Sequence, residues 1–433
     1  MERTEATGEI MRAFRADCKA IFEAVKSAPR GAKVKAVEFE VRRRALATYS
    51  KVLAAALQGV SGENRSGGAA PRCPCGGRMR LVRRVPKTVV TVLGPVRLAR
   101  RYYACRGCGS HRVPLDETVG LGRRGVSDGA CRLITWCGKG ESFRAAAGTL
   151  QELAEIRLSA ETVRSVTEGV AREVEGAQQE GRFCGEEQGM KFRVRGGARR
   201  AYISPDGTAV NTLSGWREVK TGAIYNQQKD QQHFVATLSE AGTFGMELRR
   251  HAAAVGALGA RQWVVMGDGA AWIWKMAAVE FPGAVEVVDY YHLSEHVWGC
   301  ARALYGEGSA AGARWSARRL KEIREQGPGR LLQGVRRSQR RRRREQEHTA
   351  LEALVGYVSE RKERLRYPTF RRMGIDLGSG PVESACGHVI GRRLKGAGMR
   401  WSEANAEAMA RLRALSASTG SWEAFWQRHR PAA

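Results

Sequence analysis

Two acidic residues each end a strand-like apolar run and are followed by glycine: Asp206 in Ser204-Pro205-Asp206-Gly207 and Asp268 in Met266-Gly267-Asp268-Gly269. A third, Glu383, lies in Gly378-Ser379-Gly380-Pro381-Val382-Glu383-Ser384. Carboxylates displayed at strand ends can meet at one point in space, and a fold for this chain has to allow that. Three of them together would repel unless a cation sat between them. Mg²⁺ is the natural candidate, because it binds through one or two carboxylates plus phosphate oxygens. Two such ions clamp the attacking and leaving oxygens of a phosphodiester.

From residue 200 onward the texture is α/β. Arg200 to Ser204 reads as a strand ending at Asp206, Trp216 to Ile224 as a second and His233 to Leu238 as a third. A helix follows from about Gly245 to Val255. Gln262 to Met266 is a fourth strand ending at Asp268, Ala270 to Phe281 a helix, and Val285 to Val288 a fifth strand ending at Asp289. Three antiparallel strands, a helix, a strand, a helix and a strand is the order of an RNase H-like fold. The first and fourth strands, which carry the two Asp, are neighbours in that order. Residues 293 to 375 then interrupt the pattern as a basic all-α insertion. The core resumes over 376 to 433, with Glu383 near the start of a helix running through Val389 and Arg392, and a helical end from Arg411 to Trp426.

The segment before this core reads as several modules. Residues 1 to 58 are helical, with Ile10, Phe14, Ile21, Phe22 and Val25 at helical spacing. Residues 59 to 71 are rich in Gly, Ser and Asn and read as a linker. Residues 72 to 120 hold Cys73-Pro74-Cys75-Gly76 and Cys105-Arg106-Gly107-Cys108-Gly109 around two β-branched runs, Val85 to Leu93 and Val96 to Tyr103, broken at Gly94-Pro95. That reads as a hairpin with a cysteine knuckle at each end. Cys73, Cys75, Cys105 and Cys108 suit a tetrahedral structural zinc, with four ordinary thiols on a strand pair as the plain alternative. The other six of the ten Cys, at 18, 131, 137, 184, 300 and 386, are dispersed. Residues 121 to 180 are helical. A helix begins at Ser142, breaks around Ile156-Arg157-Leu158, and restarts after Ser159 as N-cap. This is either a helix-turn-helix that reads DNA or a packed helix pair.

Charge narrows the partner. Lys and Arg total 73 against 44 Asp and Glu, a formal net charge of +29 in 433 residues. That excess fits a polyanion, since each cation near a phosphate releases a condensed counterion. The rival polyanion, a membrane surface, finds no apolar run of ~18 residues to anchor a span, and the charged N-terminus does not resemble a signal peptide. A cytoplasmic protein is expected. The basic residues cluster at Arg336, Arg337 and the run Arg340, Arg341, Arg342, Arg343 and Arg344, and again from Arg361 to Arg372. Such a run is either a solvated helix face or a phosphate-contacting surface. Arg392, Arg393, Lys395 and Arg400, beyond Glu383, are read with the phosphate-contacting set.

These motifs, in this order, resemble bacterial insertion-sequence DDE transposases of the ISKra type, relatives of the Mutator-like group. The resemblance spans roughly Cys73 to Trp426. It rests on Gly215-Trp216-Arg217-Glu218-Val219-Lys220, Gly267-Asp268-Gly269-Ala270-Ala271-Trp272-Ile273-Trp274, Val288-Asp289-Tyr290-Tyr291-His292, Gly380-Pro381-Val382-Glu383-Ser384 and Arg393-Leu394-Lys395-Gly396-Ala397-Gly398-Met399-Arg400-Trp401-Ser402. It implies Asp206, Asp268 and Glu383 as the catalytic triad, holding two Mg²⁺ or Mn²⁺. It also implies that Asp289 and His292 match the Asp-x-x-His element of that group. Asp289 would then be a structural acid, and His292 would contact a phosphate, orient a flipped base, or simply start a helix. The first knuckle, Cys-x-Cys, departs from the commonest ribbon spacing.

The expected activity is metal-dependent DNA cleavage and strand transfer at terminal inverted repeats. The expected partners are double-stranded DNA and at least one further copy of the chain, near the bacterial nucleoid. The rivals are a structure-specific RNase H-like nuclease and a catalytically silent DNA-binding regulator.

Overall fold

The computed structural model describes residues 2–60, 70–122, 125–182, 200–342 and 344–428. Most of the expected linker, residues 195–199 at the head of the expected core, Cys184 and Arg343 lie outside the described residues. Residues 1–170 with 426–433 form one compact unit, and residues 171–425 form a second.

The first unit opens with two helices, α1 (Glu2–Ser27) and α2 (Lys33–Val60). The single helical stretch expected to residue 58 is broken at 28–32, because Pro29 has no N–H to extend the ladder. Asp17 ties the pair, accepting from Arg44 Nη1 at 2.9 Å and Thr48 Oγ1 at 2.7 Å. Strands β1 (Met79–Thr91), β2 (Gly94–Cys105) and β3 (His111–Arg112) make an antiparallel sheet. The hairpin turns at Val92-Leu93, one step ahead of the expected Gly94-Pro95 break. Thr91 Oγ1 closes it by donating to Gly94 O at 2.7 Å, and Gly94 supplies the positive φ of 103°. Leu53, Ala54 and Leu57 of α2 pack on Val89, Val96, Leu98 and Leu115. Helices α3 (Pro114–Thr118), α4 (Asp128–Gly140), α5 (Phe143–Ala154) and α6 (Ala160–Gln179) follow, the last passing into the second unit at residue 171. Ser142 Oγ caps α5 through Ala145 N at 3.2 Å, and Ser159 Oγ accepts from Thr162 N at 3.1 Å, as the sequence indicates. Glu155, in the left-handed region, ends α5.

The second unit is built on one sheet of order β6-β5-β4-β7-β8: β4 (Arg200–Thr212), β5 (Gly215–Asn226), β6 (Gln232–Thr237), β7 (Gln262–Gly267) and β8 (Val285–Val288). The first three run antiparallel, and β7 and β8 join parallel to β4. The β4–β5 hairpin repeats the Thr-x-x-Gly turn, with Thr212 Oγ1 donating to Gly215 O at 2.7 Å. β4 therefore runs through Asp206 to Thr212, past the end expected for it. Helices α7 (Ala241–Ala254) and α8 (Ala271–Glu280) join the strands. Gly222 admits α7 closely, since a β-carbon there would sit 2.6 Å from Leu248. A helical segment follows: α9 (Tyr290–Tyr305), α10 (Ala310–Gln326), α11 (Pro328–Gln339), α12 (Glu345–Glu360) and α13 (Tyr367–Arg372). Then come α14 (Gly380–Ala385), a π-helical turn at Cys386–Gly391, α15 (Arg392–Leu394), α16 (Glu403–Ala417) and α17 (Ser421–Arg428). Asp206 pairs with Thr221, the neighbour of Gly222. Successive strand residues face opposite ways, so the Asp206 side chain lies on the sheet face opposite α7.

Between β6 and α7 two buried histidines meet, His233 Nε2 and His251 Nδ1 2.8 Å apart. Burial pulls His233 down to about 4 and His251 well below its ordinary value. Both are therefore neutral in the folded chain, one donating to the other. Their contribution is complete above the unfolded value near 6.5 and is lost as pH falls toward about 4. For His233 alone this is on the order of 2 kcal/mol at about pH 5. Thermal unfolding should thus show a lower melting temperature at about pH 5 than at about pH 7, and His233→Phe with His251→Leu should flatten that dependence. An equally steep dependence in the double variant would assign the acid sensitivity elsewhere.

Among the described residues no helix is long and apolar enough to cross a membrane.

Candidate metal centre and acidic site

The two knuckles of the first unit bring four sulfurs together. Cys73, Cys75, Cys105 and Cys108 place their Sγ atoms within 4.8 Å of one another. The separations are 3.3 Å for Cys75 to Cys73, 3.4 Å for Cys73 to Cys108 and 3.7 Å for Cys75 to Cys105. A disulfide would need ~2.05 Å. A tetrahedron of ~2.3 Å Zn–S bonds has edges of ~3.8 Å, close to these values. Tight backbone turns make the set: Gly76 N donates to Cys73 O and Gly109 N to Cys105 O. Gly77 leaves room for the sulfurs, since a β-carbon there would lie 3.1 Å from Cys105 Sγ. Cys108, hydrogen-bonded with Ser110, is lowered to about 6, and the Cys108 and Gly107 backbone N–H groups lower Cys105. Cys73 moves the other way: the Cys75 N–H lowers it, but the surrounding thiols and burial outweigh that. Thiols in such contact ionise together only beside a cation. The cluster fits a structural metal such as zinc, and four thiolates leave no open position for chemistry.

The acidic site belongs to the second unit. The last parallel pair of β4 and β7 is Ile203 with Val265. Asp206 and Asp268 each lie three residues beyond it, at the same level of neighbouring strands. β7 ends there, while β4 continues along β5 and meets Trp401 in an isolated bridge at Thr212. Asp268 Oδ1 accepts from Ala270 N at 2.8 Å at the entrance to α8. Asp206 Oδ1 accepts from Gly207 N, and its Oδ2 accepts from the Cys386 thiol at 3.2 Å. Glu383 lies exposed in the first turn of α14.

Asp289 places that turn. It is 1 % exposed and fully engaged. Its Oδ1 caps α9 through Tyr291 N and His292 N, and its Oδ2 accepts from Ser379 N and, at 2.7 Å, from Ser379 Oγ. Tyr290 N donates to Leu377 O, and Asp376 N to Tyr202 OH on β4. The residue that ends β8 thus holds the segment carrying Glu383.

The acids feel one another. Burial raises Asp206, Cys386 and Gly207 oppose that, and the Asp268 charge adds to the rise. Burial also raises Glu383, followed by the charges of Asp289 and Asp206, with His292 acting in the opposite direction on both groups. Among the described residues, however, the cysteine quartet is the one set of three or more ligand atoms within 4.8 Å of one another. The three carboxylates share an electrostatic environment at wider spacing.

Several neighbours were missed in the sequence. His296 lies one turn beyond His292 on α9, their rings 5.4 Å apart, and stacks on Tyr357 at 3.9 Å. Tyr357 OH donates to Asp268 O at 3.0 Å, and Arg361 Nε to Gly269 O at 3.1 Å. α12 and the residue that ends it thereby clamp the loop that carries Asp268. Burial lowers His296, with the charges of His292 and Arg361 adding to that. The His-x-x-x-His spacing after Asp289 was the available signal for His296. His292 itself is half-exposed and 3.5 Å from Glu295.

The expected phosphate contacts divide. Arg336, Arg337, Arg340, Arg341, Arg344, Arg392, Lys395 and Arg400 are exposed or half-buried. Two are corrected. Arg342 turns inward to Leu304 O and Glu347 and lies over the Tyr305 ring. Arg393 is 2 % exposed, its guanidinium over Trp401. Arg393 is withdrawn from the surface, and Arg342 has its guanidinium engaged internally with a quarter of its side chain exposed.

These features define a two-unit α/β protein with a four-cysteine cluster that fits a structural metal, and with Asp206 and Asp268 level with each other on two interior strands of a mixed sheet. A family model described as Uncharacterised protein family (UPF0236) matches residues 72–223, which include the cysteine quartet and Asp206. That family is associated with transposase-like proteins. No curated protein matches the chain.

Proposed function

We propose that this chain is a DNA transposase of the DDE type, with an RNase H-like core carrying Asp206, Asp268 and Glu383 as its triad. The observation that carries the reading is the level placement of Asp206 and Asp268 on parallel neighbours, with Glu383 close enough to respond to the Asp206 charge. The donors are all carboxylate oxygens, the chemistry that Mg²⁺ or Mn²⁺ takes. A pair of such ions would divide its ligands between them, so Asp206, Asp268 and Glu383 need not reach one point to hold it. Bound there, the ions supply Lewis-acid activation of a water and later of a 3′-hydroxyl. The chain's own part is positional. Asp289 fixes the Glu383 turn, Tyr357 and Arg361 fix the Asp268 loop, and Cys386 orients Asp206. The cysteine hairpin and the α5–α6 pair are the modules for reading inverted repeats.

The test is a supercoiled plasmid carrying the DNA that flanks the open reading frame, incubated with purified chain and Mg²⁺ or Mn²⁺. Nicks at the repeat ends followed by 3′-joined products are expected. Cleavage without joining would assign a structure-specific nuclease, and binding without cleavage a silent regulator.

The solvent-facing arginines give a second expectation. Replacing Arg336, Arg337, Arg340, Arg341 and Arg344 with Gln should weaken binding to all duplexes alike, because phosphate contacts carry no base information. It should also flatten the salt dependence, by up to ~0.9 in slope for each phosphate no longer neutralised. Arg342→Gln, which removes an internal bond, should disturb folding more than salt dependence. A weakening confined to element-end DNA in a gel-shift titration would refute the assignment.

A further inference from the structure

The α1–α2 hairpin exposes more apolar surface than two helices need for each other. On α1, Met11, Phe14 and Phe22 are 47, 49 and 67 % exposed. With half-buried Cys18 and Val25 they recur at 11, 14, 18, 22 and 25, one helical stripe. This is not the face turned to α2, which runs through Asp17 to Arg44 and Thr48. On α2, Val34, Val41, Tyr49 and Val52 are exposed along a second stripe. The helices run antiparallel: position 17 faces 44 and 48, and Lys33 Nζ reaches Val25 O. Each stripe lies about one residue onward from the line facing the partner helix. In an antiparallel pair that offset carries both stripes to the same side. The hairpin therefore has one continuous apolar face.

We infer that this face seats the same hairpin of a second copy, forming an isologous four-helix contact about a two-fold axis. Size supports that occupant. Helices of 26 and 28 residues make a face ~40 Å long and ~20 Å wide, or ~800 Å² per copy, the area of a standard stable interface. Charge supports it too. In a chain of net charge +29, α1 carries five basic and five acidic residues and is neutral. Arg42, Arg43 and Arg44 of α2 are ion-paired with Glu155, Glu40 and Asp17. α2 carries six basic residues against two acidic ones, but these ion pairs hold its three consecutive arginines, so a polyanion finds no unpaired arginine row there. A C2 contact needs a self-complementary patch, and an apolar stripe with mixed charge beside it is one. This pairing does not depend on the catalytic reading.

The experiment is light scattering on the full chain at about 20 µM, nuclease-treated and at high salt so that DNA cannot bridge copies. A mass of twice 47.6 kDa is expected. Phe14→Glu with Phe22→Glu should weaken association by about 100-fold or more, with circular dichroism unchanged. A photo-crosslinking phenylalanine analogue at Phe22 should give covalent dimers joined within residues 2–60, and the same analogue at exposed Val279 should give none. This arm decides the matter even if the double variant misfolds. A monomeric wild type, or dimers cross-linked elsewhere, would overturn the proposal and leave the face to another partner.

Discussion

Asp268→Asn is expected to lower metal-dependent strand cleavage by ~10³-fold or more while leaving duplex affinity within about twofold. The substitution preserves shape and removes charge. Asn keeps an oxygen where Asp268 Oδ1 accepts from Ala270 N, so the entrance to α8 survives. The backbone on either side is held independently, by Tyr357 OH on Asp268 O and Arg361 on Gly269 O. What disappears is one negative charge facing Asp206, whose affinity for protons that charge helps to raise. A hard cation binds through that charge, and several kcal/mol of transition-state stabilisation go with it. The arginines assigned to phosphate contact are untouched. Gel shift and plasmid nicking on the same preparations measure both quantities. Glu383→Gln should behave alike. Near-normal nicking and joining in Mg²⁺ by either variant would remove these carboxylates from the mechanism.

How much of this site the sequence discloses depends on how locally each residue is placed. Asp268 is legible because a run of apolar residues followed by Asp-Gly marks the end of β7, whereas at Asp206 the same pattern marks only where β4 parts from β7. The strand order follows from the same runs. The end of β4 is misread for an identifiable reason: Thr208, Ala209 and Val210 after Asp206-Gly207 carry no strong apolar alternation, and the closing signal, Thr212-x-x-Gly215, is a side-chain hydrogen bond. The same device hides the turn at Thr91. Tyr357 and Arg361 could not be read at all. They reach the Asp268 loop from about 90 residues downstream, through packing of α12 against α9 that no local pattern encodes. Cys386 is likewise 180 positions from Asp206. Its turn is π-helical, a distortion common at functional sites that leaves no composition signal. The arginine run shows the limit of reading charge alone. Arg340 and Arg341 are solvent-facing, while Arg342 is drawn inward by Glu347 and Tyr305.

Removing the metal from the cysteine cluster is expected to unfold the knuckle end of the first sheet. The apolar core there is small: Cys73, Met79, Tyr103 and Cys105. Burying one Met and one Tyr contributes roughly 3–6 kcal/mol. Ordering even the ten or so residues of the two knuckles costs ~1–2 kcal/mol each in backbone entropy. The difference needs another source, and structural zinc in small Cys-ligated modules supplies about 10–16 kcal/mol at neutral pH. The far end of the hairpin has its own support, because Val89, Val96 and Leu98 pack with Leu115 and α2. Unfolding should therefore be local. About one zinc per chain is expected by metal analysis. Chelation, or Cys108→Ser, should expose the chain near residues 72–80 and 104–112 to protease, while residues 85–98 stay protected longer. Cys108 is the informative choice because its thiol is exposed and, beside Ser110, lowered to about 6, so its loss removes a ligand without opening the small core. Cys137→Ser, outside the cluster, should change neither zinc content nor cleavage pattern. Full protease resistance in metal-free protein would show that the four thiols hold the knuckles by packing and hydrogen bonds alone.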